Sequence, residues 1–68
     1  MMKISYNKLW KLLIDNNMQK TDLIKEVKIS SNVLARMGKN EPISMESLEK
    51  ICQYFSVNIG DIVEFTEE

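Results

Sequence analysis

Apolar residues recur along this chain at helical spacing and stop at turn-forming clusters. Tyr6, Leu9, Trp10, Leu13 and Ile14 stand at i, i+3, i+4, i+7 and i+8, with Lys8, Lys11 and Asp15 elsewhere on the wheel, which predicts a first helix with one core face. Ser5 is its candidate N-cap, and Asn16-Asn17 suits its exit because Asn tolerates left-handed backbone. A second helix is predicted from Gln19, with Asp22 near its positive end and Leu23 and Val27 sharing a face. Ile29 falls just after it. Ser30 caps a third helix, about Ser31 to Met37, whose Leu34 and Met37 share a face and which Gly38 lets stop. Lys39-Asn40-Glu41-Pro42 reads as a loop, since proline disfavours helix in the residue before it. Ser44 then caps a fourth helix striped by Leu48, Ile51, Cys52 and Phe55, and Asn58 with Asp61 opens a short fifth. Val57, Ile59, Ile62 and Val63 are expected to close the core. From Val63 onward the pattern allows a continued helix, a strand EFTEE that pairs with another chain, or a solvated acidic tail at about 64–68, and the tail is the expectation.

Two short helices joined at a tight turn, over about residues 19–38, form a helix-turn-helix pattern. With its setting (YNKLWKLLIDNN before it, SMESLEKICQYF and NIGDIVEF after it) the pattern resembles the Cro/C1-type helix-turn-helix family of bacterial and phage DNA-binding regulators, over roughly residues 5 to 64. The resemblance implies an all-α, compact five-helix lambda-repressor-like domain, 1–68, in which helices 2 and 3 are the helix-turn-helix. Two residues depart from the family pattern. Ile24 stands where a small residue is usual between the two helices, and Lys28 stands at a turn where glycine is frequent because φ is often positive.

Sixty-eight residues make one domain, expected to bury about 60% of its unfolded surface and to leave little room for a catalytic cleft. The net charge of −1 hides a strong asymmetry. Residues 1–40 hold eight Lys/Arg against three Asp/Glu, and residues 41–68 hold one against seven, so about +5 is followed by −6. The basic part carries the helix-turn-helix, and the local field there matters more than the sum.

An α-helix with side chains, about 10–12 Å across, fits a major groove about 12 Å wide. With Leu34 and Met37 turned to the core, Ser31, Asn32, Ala35, Arg36 and Lys39 project outward and Val33 lies at the margin. The resemblance implies base contacts from Ser31, Asn32 and Arg36. Their chemistry suits that work: Asn pairs bidentately with adenine, Arg with guanine, and Ser takes either role. The same resemblance puts Lys20, at the N-terminal end of the second helix, on the DNA backbone. Ser30 at the start of the third helix, and Lys39 with Asn40 just past its end, are further candidates for phosphate contact. Lys25 and Lys28 rank lower.

The expectation is therefore a sequence-specific transcriptional regulator that binds double-stranded DNA, as a homodimer because one small recognition helix reads few base pairs. The alternative is a protein-interaction module, such as an antitoxin or adaptor, whose acidic half binds a basic partner. An enzyme is not expected, since histidine, a Gly-rich phosphate loop and Cys/His metal spacing are all lacking. No cofactor and no metal site is expected either. Cys52 has no second cysteine to pair with and reads as a small core hydrophobe. With no apolar leader and no run near the ~20 residues of a membrane span, a cytoplasmic protein without membrane contact is expected.

Overall fold

Tyr6 begins the packing. It is fully buried, and as N-cap of helix α1 (Asn7–Asp15) it opens the face that continues through Leu9 and Leu13. Ser5, expected to cap this helix, sits one residue early: its Oγ accepts from the Asn7 N–H at 3.3 Å, and it is itself buried. Trp10 packs against the core while half-buried. Ile14 does not follow the stripe and is 72% exposed. It lies about 100° round the wheel from the centre of the Tyr6/Leu9/Leu13 face, and of the two flanks the core takes the opposite one, where Leu12 packs.

The computed structural model describes residues 2–67. After α1 come a π-helical segment (Leu23–Val27), helix α2 (Ser31–Gly38), helix α3 (Met45–Phe55) and one 3₁₀ turn (Ile59–Asp61). The expected third helix is thus α2 and the fourth is α3. Ser44 caps α3, its Oγ accepting from the Ser47 N–H at 3.2 Å. The expected fifth helix shrinks to the single turn, in which Asn58 and Asp61 form a capping box. Ile62, just after it, is fully buried, whereas Ile59 is 42% exposed and does not close the core.

The chain is mostly helical but not all-α. Strands β1 (Met2–Ser5) and β2 (Glu64–Glu67) pair antiparallel in the register Met2↔Glu67, Lys3↔Thr66, Ile4↔Phe65, Ser5↔Glu64. The expected acidic tail is therefore, as far as Glu67, a strand pairing within its own chain; Glu68 lies outside the described residues. Lys8 reinforces this closure, donating to the Gly60 carbonyl at 3.1 Å and lying 3.9 Å from the Glu64 carboxylate. Two residues separate the 3₁₀ turn from β2, which is too few for another helical turn and enough to reverse the chain onto β1.

One core joins these elements: Tyr6, Leu9, Leu13, Leu23, Val27, Ile29, Met37, Leu48, Ile51 and Ile62. Cys52 is half-buried against it, and burial, then the Asp61 carboxylate, push its thiol pKa up, away from reactive thiolate.

Candidate nucleic-acid interface

The turn between the two helices is built by backbone carbonyls that need partners at a helix end. At the end of α2, Asn40 takes left-handed backbone (φ 56°) and donates to the Met37 carbonyl, while the Glu41 N–H reaches back to Arg36 at 2.9 Å. That is a Schellman motif, and α1 ends the same way at Asn17, with Met18 donating to Leu13 at 2.8 Å. Gly38, expected to stop the helix, is instead its last residue, and Asn40 supplies the reversal.

The π-helical segment ends differently. Lys28 is left-handed (φ 71°, ψ 34°), as its place in the turn predicts, but both it and Ile29 donate to the Leu23 carbonyl. The Ile29 bond spans six residues against five at the other two ends and the Lys28 bond five against three, matching the wider π turn. Ile29 then drops into the core and Ser30 opens α2, its Oγ accepting from the Val33 N–H at 3.1 Å. At the other end of this segment the Gln19 N–H donates to the Asp22 carboxylate at 2.8 Å, and i→i+3 bonds from Asp22, Leu23 and Ile24 wind the entry. Lys20 sits in this entry turn.

α2 is oriented by what it buries. Met37 is fully buried, Val33 and Leu34 are half-buried, and Ser31, Asn32, Ala35, Arg36 and Lys39 are all exposed. Its far end is fastened to the first helix: the Tyr6 hydroxyl donates to the Glu41 carbonyl at 2.6 Å. Burial pushes the Tyr6 pKa up, so the hydroxyl stays a donor. Among the described residues, no ion pair or side-chain hydrogen bond engages Ser31, Asn32, Arg36 or Lys39. Ser30 uses only its lone pair in the cap, and its O–H remains able to donate to an anion.

The seven anticipated site residues thus lie along a continuous segment, from Lys20 in the entry turn through Ser30, Ser31, Asn32 and Arg36 to Lys39 and Asn40, and all are exposed. One neighbour escaped the sequence reading. The Lys20 ammonium lies over the Trp10 ring, 4.4 Å from its centroid. Helical periodicity places Trp10 on the core stripe of α1 and carries no signal of a contact with a residue ten positions away on another element.

This arrangement, a capped and outward-facing short helix following a tight turn, defines a helix-turn-helix domain. Residues 8–68 match the family profile of the Cro/C1-type HTH DNA-binding domain, and the chain belongs to that family. Among solved structures it is similar to one described as the crystal structure of transcriptional regulator VanUg, Form II, at 48% identity and a TM-score of 0.93, over 98% of this chain and 89% of that one. No curated protein matches it.

Proposed function

We propose that this protein is a sequence-specific DNA-binding transcriptional regulator that reads the major groove with α2. The observation that carries the reading is the state of α2 itself. Its N-terminal cap is made and its buried face is filled, while its polar outward side chains have no side-chain partner among the described residues, within a family of DNA-binding domains. Asn32 and Arg36 have the donor and acceptor patterns for adenine and guanine edges, and Ser31 complements either. Lys20, Ser30, Lys39 and Asn40 flank them and take the phosphates, which position the helix without reading sequence. The likeness to a transcriptional regulator over nearly the whole chain supports the same role.

An eight-residue helix is only about 12 Å long and spans few base pairs. The functional unit on DNA is accordingly a two-fold dimer with half-sites about 34 Å apart, or a multiple of that. The reading is of a binding protein, not an enzyme, working in the cytoplasm of a bacterial or phage-infected cell. Selection of bound duplexes from a random pool tests it: a palindromic motif is expected, and recovery of no enriched motif overturns it.

A protein-interaction module, such as an antitoxin or adaptor, is the second reading. It is favoured by Met2 and Phe65, which are 58% and 65% exposed beside a cleft also lined by Ile4 and Pro42. Tight binding to a protein partner with weak, sequence-independent DNA affinity would select it.

A further inference from the structure

Trp10 is neither fully buried nor free. It is half-buried on α1, tilted against Tyr6 with ring centroids 6.3 Å apart, and the Lys20 ammonium lies over its ring, 4.4 Å from the centroid. Lys20 has no carboxylate partner among the described residues, although Asp22, whose carboxylate accepts from the Gln19 N–H, is two residues away. A lysine on an exposed turn normally samples many rotamers, and ordering it costs entropy that a phosphate contact must offset. We infer that Trp10 is a positioning residue: its ring holds the Lys20 ammonium in place for a DNA phosphate before DNA arrives.

The chemistry allows both contacts together. A ring face attracts the cation through its quadrupole without using up the directional N–H donors, so an ammonium resting on one side of a ring keeps donors on the other. A carboxylate in the same position would neutralise the lysine and compete with phosphate. An aromatic face orders the charge and leaves it whole. The inference rests on the DNA-binding reading above, and it makes Trp10 act through Lys20 without touching DNA.

The test is a double-mutant cycle on the full chain, with Trp10→Leu, Lys20→Met and the pair, plus Trp10→Phe as a variant that keeps a weaker ring. Each is titrated with a random-sequence DNA duplex of about two helical turns at several salt concentrations, with folding checked by thermal unfolding. With Lys20 present, Trp10→Leu is expected to weaken binding about 2- to 5-fold, the range of an exposed cation–π contact, and Trp10→Phe less. In the Lys20→Met background the same Trp10 change is expected to have no effect. If Trp10→Leu weakens binding equally in both backgrounds, or in neither, the inference is overturned and Trp10 is a packing residue only. Should Trp10→Leu fail to fold, Trp10→Phe carries the cycle. Its companion is the proton spectrum of the native chain without DNA, where the Lys20 ε-methylene is expected to be ring-shifted upfield, and an unshifted resonance overturns the contact. Absence of salt-dependent DNA binding by the native chain would instead overturn the DNA-binding reading, while the ring shift still reported whether the contact exists.

Discussion

Asn17, Lys28, Asn40 and Ser56 occupy left-handed backbone, while neither glycine of the chain does. Left-handed backbone costs an L-residue about 1–2 kcal/mol, and Asn less because its side chain bonds locally. Lys28→Gly and Ser56→Gly are therefore expected to stabilise the fold by about 0.5–1 kcal/mol after the greater freedom of glycine in the unfolded chain is deducted, and Asn17→Gly by less. Thermal unfolding checks the order. A lower midpoint for Lys28→Gly would contradict the turn described above. The positive φ at Lys28 was legible in the sequence from its place in the motif, but the one at Ser56 was not, because serine carries no conformational signature of its own. Tyr6 gives a second expectation. Its pKa is raised above 10.0 by burial, so the stability its burial contributes is fully present below the unfolded value of 10.0 and is lost as pH rises through the higher folded value. Tyr6→Phe should forfeit about 1 kcal/mol at neutral pH with its hydrogen bond to Glu41, and should flatten the alkaline loss. Urea midpoints measured across the alkaline range for both proteins decide it.

Helices are the elements that periodicity finds, and α1, α2 and α3 were legible because each repeats its apolar face at least twice with a capping serine or an Asn exit nearby. The π geometry of Leu23–Val27 was not, since five residues present Leu23 and Val27 on one side under either helical pitch. Nor was the sheet: MKIS and EFTE are too short for alternation to stand out, and they are neighbours only because the intervening 58 residues fold between them. What sequence could not supply at the interface was of the same kind, the Lys20–Trp10 contact between separate elements. The two serine caps offer a test at this scale, being alike in geometry but different in place. Ser30→Ala and Ser44→Ala should each cost about 1 kcal/mol of stability, each removing the acceptor for one N–H in the first turn. Only Ser30→Ala should also weaken DNA binding in proportion to a lost phosphate contact, because Ser30 opens α2, the proposed reading element, whereas Ser44 opens α3. Equal DNA affinity for the two folded variants would remove Ser30 from the interface.

Taken over the whole molecule, the charge asymmetry separates the two functional readings. A net charge of −1 gives no general attraction for DNA, so binding has to come from the basic residues displayed with the helix-turn-helix, against an acidic second half. If it does, log K falls with log salt in proportion to the phosphates neutralised, about 0.9 per contact, and each lysine removed from the contact set lowers the slope by roughly one unit. Lys39→Gln should show that loss on specific and random duplexes alike, whereas Arg36→Ala and Asn32→Ala should cost about 1–3 kcal/mol on the preferred site and relax the preference there. Glu46→Gln with Glu49→Gln raises the net charge from −1 to +1 on exposed positions of α3 without touching α2. On the DNA reading this pair changes affinity at physiological salt by less than about twofold, because a Debye length of ~8 Å weakens exposed charges that are outside the proposed contact set. On the partner-binding reading it removes two of the acidic groups that would hold a basic protein. Duplex titrations of Lys39→Gln and of the Glu46/Glu49 pair at two salt concentrations compare the two directly. A DNA affinity that follows net charge, rising with the α3 substitutions as much as it falls with Lys39→Gln, would mean that no particular face of this domain is built for DNA.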